Sequence, residues 1–287
     1  MPSVRGLLSS GVQTLENSGS HTAQLDAEYL LAHVLDLKKR ASLYLYEEAL
    51  TEKETALFQQ LIDRRVTHEP VAYIIGTAEF WSLTFHVNED TLIPRADSET
   101  VVDHVLSELK KDTAPRILDL GTGSGCLLLS ILSEIPMAYG VGLDIHRGAL
   151  EFARKNAVLL QLEQRTFFQE SDWFNALDET IEAFDCIISN PPYIPSQDCM
   201  QLMPDVKDFE PLRALDGGKD GLRDYRVVID KAPSWLKYGG ILVFECGIGQ
   251  AEEIQRLMTS AGYVDVRCVK DLPGVDRVIS GKYFNNS

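Results

Sequence analysis

At roughly 150 residues per domain, a chain of 287 residues holds about two domains. Apolar residues make up 45% of it and charged residues 24%, a mixture that supports a buried core and excludes a disordered chain. Lys and Arg number 27 against 43 Asp and Glu, and the formal charge of −16 argues against a protein that grips nucleic acid chiefly through phosphate contacts.

Residues 1 to about 70 read as helical. Leu25, Tyr29 and Ala32 recur at helical spacing, and Leu30, Leu31, Val34 and Leu35 widen the stripe. Leu57, Leu61, Ile62 and Arg65 mark a second helix, entered through Thr51 with Glu54 three residues on, the pattern of a capping box. No catalytic cluster stands out here, so the segment reads as a small bundle suited to recognising a partner. Residues 71–94 change texture. VAYIIG and FWSLTFHV are rich in β-formers on either side of Gly76 and read as a hairpin or short linking strands. Asp97 then reads as the N-cap of a helix over 98–110.

From residue 115 strands and helices alternate. Strands are expected at 116–120, 139–144, 165–169, 184–189, 240–246, 263–269 and 276–281, and helices at about 125–134, 147–160, 222–236 and 250–260. Such alternation implies a parallel, doubly wound sheet. Only the short stretch Lys270 to Val275 joins the last two strands, too little for a parallel crossover, so that pair is expected to be antiparallel.

Asp119-Leu120-Gly121-Thr122-Gly123-Ser124-Gly125 falls where the first of these strands meets a helix. Glycines there let the backbone turn sharply and approach a ligand, and a helix start offers free N–H groups. The spacing departs from the dinucleotide fingerprint G-x-G-x-x-G/A, and the G-K-[ST] of a P-loop is absent. Asp144 ends the next strand, where a carboxylate can accept both ribose hydroxyls and disfavours a phosphate. The pair points to a nucleoside cofactor without phosphates, and S-adenosylmethionine has that chemistry. Asp144 also reads as an ordinary cap of the helix beginning near Arg147.

Asn190-Pro191-Pro192-Tyr193 follows the apolar strand FDCIIS directly. Average usage makes the tetrapeptide a chance event on the order of one in a thousand for a chain of this length. The carboxyl end of a parallel strand is also where open α/β sheets bind ligands. A planar amide nitrogen is a poor nucleophile because its lone pair is delocalised. Two acceptors, one for each N–H, can hold it with the lone pair toward a methyl donor, and the Asn190 side-chain carbonyl and the Pro191 main-chain carbonyl supply such a pair. Proline stiffens the turn, the same oxygens stabilise charge developing on nitrogen, and Tyr193 can stack on the flat group. A plain rigid turn is the competing reading.

With these residues in place, the chain resembles the protein-glutamine methyltransferases of the HemK/PrmC type, which modify peptide chain release factors. The resemblance runs through Pro70-Val71-Ala72-Tyr73-Ile74, Glu79-Phe80, Thr91-Leu92-Ile93-Pro94-Arg95-Ala96-Asp97-Ser98-Glu99, the glycine loop, Asp144, Ser171-Asp172-Trp173-Phe174, the Asn-Pro-Pro-Tyr turn, Phe209-Glu210-Pro211, Asp220-Gly221-Leu222 and Asp276-Arg277-Val278. It implies an α/β, class I S-adenosylmethionine-dependent methyltransferase fold: a Rossmann-like, seven-stranded, mostly parallel sheet with an antiparallel last strand. A small helical N-terminal domain and a β-hairpin linker precede it, giving residues 1–70 for substrate recognition, 71–96 for the linker and 97–287 for the catalytic domain. The implied reaction methylates the side-chain amide nitrogen of the glutamine in a Gly-Gly-Gln motif of release factors, tuning translation termination and leaving S-adenosylhomocysteine. By position, Gly121, Thr122, Gly123, Ser124, Gly125, Asp144, Trp173 and Asn190 would hold the cofactor. Asn190, Pro191, Pro192 and Tyr193 would hold the glutamine, with Asn190, Pro191 and Tyr193 acting on it and no metal involved. Trp173 also reads as a core aromatic. Two positions depart from the family pattern, His146, which reads as a surface side chain, and Cys246.

Arg95 and Glu99 read either as an ion pair at a helix start or as site residues. The stretch from Ile194 to Gly221 reads as a lid or a surface excursion, and Glu245 as a buttress of the turn. Cys126, Cys186, Cys199, Cys246 and Cys268 form no C-x-x-C pair and are odd in number, which reads as reduced thiols without disulfide or zinc. No apolar run approaches the roughly 18 residues of a membrane span, and the first residues lack the apolar core of a secretory signal. A cytoplasmic, monomeric enzyme without stable nucleic-acid binding or membrane contact is the expectation. The alternatives are a ribosomal-protein glutamine methyltransferase, an adenine or cytosine amino methyltransferase acting on a flipped base, and a non-catalytic binding module on the same scaffold.

Overall fold

The structure, a computed structural model, describes residues 3–37, 39–110, 113–178 and 180–284. The chain divides into two compact units, Met1–Thr77 with Met203–Phe209, and Ala78–Leu202 with Glu210–Ser287.

The first unit is helical: α1 (Val4–Asn17), α2 (Ala23–Val34), a 3-10 turn (Arg40–Leu45), α3 (Glu52–Val66) and α4 (Val71–Ile75). The capping box expected at Thr51 is formed, with the Glu54 N–H donating to Thr51 Oγ1 at 3.2 Å and the Thr51 N–H to the Glu54 carboxylate at 2.7 Å. Leu15, Leu30, Leu31, Leu50, Phe58 and Ile62 are buried completely or nearly so. The α2 stripe is not the expected one. Leu25 and Tyr29 are each 40% exposed, while Ala23, Asp26 and Ala27 turn inward with Leu30 and Leu31. Small residues let neighbouring helices approach, and buried Asp26 is matched by Arg65 Nε at 2.8 Å, which removes the usual penalty on an inward carboxylate. On α3, likewise, Phe58 rather than Leu57 joins the core.

VAYII is a helical turn, not a strand. Pro70 opens α4, its carbonyl accepting the Tyr73 and Ile74 N–H groups, and Gly76 closes it at φ +77°. The hairpin begins only afterwards, as β1 (Thr77–Phe80) and β2 (Leu83–His86). Trp81 and Ser82 between them have φ +53° and +58°, as a two-residue type I′ turn requires. Phe80 and Phe85 are buried in the core of the second unit.

That unit continues with a 3-10 turn (Ala96–Ser98), α5 (Glu99–Glu108), β3 (Arg116–Leu120), α6 (Cys126–Glu134), β4 (Tyr139–Asp144), α7 (Arg147–Leu159), β5 (Thr166–Glu170) and β6 (Phe184–Ser189). After α8 (Pro204–Lys207), whose residues cluster with the helical unit, come α9 (Arg223–Lys231), a 3-10 turn (Ala232–Trp235), β7 (Leu236–Glu245), α10 (Ala251–Ser260), β8 (Val264–Lys270) and β9 (Asp276–Tyr283). Asp97 does not cap α5; its carboxylate pairs with the buried Arg277 guanidinium at 3.1 Å, which competes for the same oxygen.

The seven strands lie in the order β5-β4-β3-β6-β7-β9-β8. The first five are parallel and β9 runs antiparallel to both neighbours, as the short β8–β9 connection requires. Alternation along the strands feeds two cores. Ile117, Cys186 and Ile188 face α5, α6 and α7, whereas Leu118, Leu120 and Ile187 face α9 and α10. Strand order reverses between β3 and β6, so the carboxyl ends of these two strands open a crevice between their outgoing loops.

Candidate active site

The glycine loop leaves β3 and the Asn-Pro-Pro-Tyr turn leaves β6, on opposite sides of that crevice. Ser189 Oγ donates to the Leu120 carbonyl at 2.7 Å and ties the two strand ends together. Gly121, Gly123 and Gly125 all have positive φ (+72°, +55° and +80°), a run of left-handed backbone that L side chains would strain. The loop exposes its backbone to a cavity of about 620 Å³.

Gly121, Thr122, Gly123, Ser124, Asp144, Trp173, Asn190 and Pro192 line this cavity together. Gly125, Pro191 and Tyr193 are not among its lining residues. Gly125 is the N-cap of α6, and its N–H donates to the Thr122 carbonyl. Pro191 is buried, and Tyr193 packs beside Gly247 on the α9–α10 core. Burial, helped by neighbouring Glu245, pushes the Tyr193 hydroxyl to about 12. Its main-chain carbonyl accepts from Gln250 Nε2 at 2.9 Å, which fixes this end of the turn.

Asp144 is held by main-chain donors, Gly123 N–H at 2.9 Å on Oδ2 and His146 N–H at 2.8 Å on Oδ1. Burial raises its pKa against the pull of these two bonds. The cap of α7 is not Asp144 but His146, whose Nδ1 accepts from the Ala149 N–H at 3.3 Å. Trp173 adopts φ +50°, an uncommon conformation held by Ser171, whose hydroxyl donates to the Trp173 carbonyl at 2.7 Å and accepts the Ala176 N–H. The indole both lines the cavity and packs on the core.

Sequence reasoning missed several groups. Arg95 pairs with buried Glu210, not with Glu99, and Glu210 also accepts from the Ile93 N–H at 3.3 Å. Glu99 instead accepts from the Trp81 N–H at 2.7 Å. Arg213, also on the cavity wall, donates to the Asp90 carbonyl at 2.9 Å. The Phe209-Glu210-Pro211 match was the available signal, although nothing in it names the partner. The stretch 194–221 carries short helical turns and an Ile194–Asp216 bridge, and Leu212, Arg213, Ala214 and Asp216 reach the cavity. Asp119, behind Thr122, is 1% exposed. Burial pushes its pKa to about 7 against a 2.6 Å hydrogen bond from the Thr122 hydroxyl, and the charge of Asp144 adds to the rise. Burial likewise pushes Glu245, at the end of β7, to about 7, opposed by the nearby polar side chains of Ser98 and Asn190 and by the charge of Arg277.

Asp119 Oδ1 and Ser124 Oγ are buried without partners among the described residues. An unsatisfied Ser124 hydroxyl beside the glycine loop, a carboxylate at Asp144 and an aromatic wall at Trp173 fit a cationic nucleoside such as S-adenosylmethionine, and the volume lies within the usual range for small-molecule sites. Among the described residues no group of three or more His, Cys, Asp and Glu is placed to hold a metal, and no helix is long and apolar enough to cross a membrane.

Residues 6–76 match the family described as PrmC N-terminal domain, and residues 96–203 the family described as Methyltransferase small domain. Among solved structures, the hMettl16 catalytic domain in complex with MAT2A 3'UTR hairpin 6 is similar in fold, with a TM-score of 0.58 and 13% identity over 82% of this chain and 84% of that one. Two curated relatives are far nearer in sequence. A release factor glutamine methyltransferase of Rhodospirillum rubrum is 42% identical over 95% of this chain and 83% of its own length. One of Bradyrhizobium diazoefficiens is 44% identical over 93% of this chain and 91% of its own, and at that level of identity and coverage the chain belongs to the release factor glutamine methyltransferase family.

Proposed function

We propose that the chain transfers a methyl group from S-adenosylmethionine to the side-chain amide nitrogen of the glutamine in a Gly-Gly-Gln motif of peptide chain release factors. The observation that carries this reading is the meeting of two loops on one cavity, the glycine loop with Asp144 on one side and Asn190 on the other. Bound there, the cofactor supplies an electrophilic methyl on a sulfonium centre.

The protein's part is placement. Gly121, Thr122, Gly123, Ser124, Asp144 and Trp173 hold the cofactor. Asn190 accepts one N–H of the glutamine amide through its side-chain carbonyl, and Pro191 accepts the other through its main chain. Both oxygens face a nitrogen that gains positive charge as the N–C bond forms and the S–C bond breaks, so they stabilise the transition state more than the ground state. The proton then leaves the methylated nitrogen for solvent. Tyr193, packed beside Gly247, stiffens the turn from behind. The helical unit recognises the release factor, and the enzyme works as a monomer in the cytoplasm, where its five cysteines stay free thiols.

The test is Asn190→Ala. Incubated with labelled cofactor, release factor, ribosomal protein and nucleic acid, the parent should label only the release-factor glutamine, located by mass spectrometry. The variant should lose at least about a hundredfold in turnover, the scale of a single transition-state acceptor, while its cofactor affinity changes little. Parental turnover by the variant would remove Asn190 from the mechanism.

A further inference from the structure

Asn190 presents an ambiguity that its position alone does not resolve. A side-chain amide carries an acceptor on one arm and donors on the other, and only the acceptor can hold the N–H of a substrate amide. Turned over, the same side chain would present its own NH₂ to the glutamine nitrogen and repel it.

The neighbouring strand supplies what decides the matter. Ser189 pairs with Phe244 in the parallel register of β6 and β7, so Asn190 follows the end of β6 next to Glu245, the last residue of β7. Glu245 is 1% exposed and does not line the cavity. Its carboxyl lies near enough to the Ser98 hydroxyl and the Asn190 amide for both to favour its ionised form, while Oε2 has no hydrogen-bond partner among the described residues and is left to accept one. An ionised carboxylate is only an acceptor, so it draws the Asn190 NH₂ toward itself and leaves the carbonyl for the cavity. We propose that Glu245 is a positioning residue, and that its ionised form sets the amide of Asn190 in the orientation that accepts the substrate N–H.

This inference rests on the role given to Asn190 above. It has a pH signature. A protonated Glu245 carries an O–H that can donate to the Asn190 carbonyl and so favours the turned-over amide. The charged and titratable groups around Glu245 are Arg277, which favours its ionised form, and Asp97, which opposes it, together with Tyr193, Tyr225, Cys126 and Cys246. Burial holds the carboxyl near neutrality, at about 7, so the switch falls where it can be measured.

The experiment compares parent, Glu245→Gln and Asn190→Ala at saturating cofactor, reading kcat, KM for release factor, cofactor Kd and thermal melting from pH 5.5 to 8.5. Saturation removes any pH effect on cofactor binding from kcat. The parent kcat should fall by about tenfold per pH unit below the Glu245 pKa. Glu245→Gln keeps a carbonyl for the Asn190 NH₂ and cannot titrate. It should retain parental cofactor affinity, lose roughly three- to tenfold in kcat at pH 8.5, and show no acidic limb, a pattern that a merely structural loss does not produce. If Asn190→Ala turns over like the parent, the reading of the turn fails and this inference falls with it. If Asn190→Ala is inactive but Glu245→Gln keeps the parental acidic limb, Glu245 alone is refuted.

Discussion

Replacing Asp119 by Asn isolates one buried charge. In the parent the carboxyl is 1% exposed, takes one hydrogen bond from Thr122 at 2.6 Å and leaves Oδ1 without a partner. Its folded pKa is about 7, against about 3.9 for an unfolded chain. Between those two values the native state keeps a proton that the unfolded state has released. Stability therefore falls as pH rises from about 4 to about 7, and levels off above. At about 1.4 kcal/mol per pKa unit, the whole window costs about 4 kcal/mol, and the part above pH 5 about 3 kcal/mol. Asn does not ionise and escapes this loss, though its NH₂ lies where Oδ1 had no partner, at a pH-independent cost of about 1–3 kcal/mol. Urea unfolding of both proteins without cofactor, at pH 5 and pH 8, reads the difference directly. The stability of Asp119→Asn relative to parent should improve by about 3 kcal/mol between the two pH values, since Glu245 titrates in both chains and cancels. A relative stability that is the same at both pH values would refute the assignment of a buried, near-neutral carboxyl behind the glycine loop.

Asp144→Asn should weaken binding of S-adenosylhomocysteine. A neutral amide replaces the carboxylate that would accept the ribose hydroxyls, and the lost charge-assisted bond is worth about 1.5–3 kcal/mol, or roughly 10- to 150-fold in Kd by calorimetric titration; an unchanged Kd would count against a ribose role. Ser82→Gly should raise stability by about 1 kcal/mol, because Ser82 is exposed and sits at φ +58° in the hairpin turn. A lower melting temperature for that variant would mean that the turn is not strained.

Much of the fold was legible because its signals are local. Short apolar runs alternating with helical stretches, the Thr51–Glu54 capping box and the short β8–β9 connection are each read within a few residues. The glycine loop and the Asn-Pro-Pro-Tyr turn were visible for the same reason, since their chemistry lies in consecutive residues. Local composition misled where a neighbour outside the window decided. VAYII has β-forming side chains, yet Pro70 and Gly76 bracket it as a helical turn.

The sequence by itself determined the fold class, the strand count, the chemistry of the two loops and the family they belong to. The tertiary structure alone decided that Leu25 and Tyr29 face outward, that Arg95 meets Glu210 across 115 positions of chain, that Asp97 serves Arg277, and that Glu245 stands beside Asn190. Burial and hydrogen bonding between distant segments set those outcomes. The pKa of a carboxylate and the face of an amide depend on what surrounds them in space, which spacing along a chain does not encode.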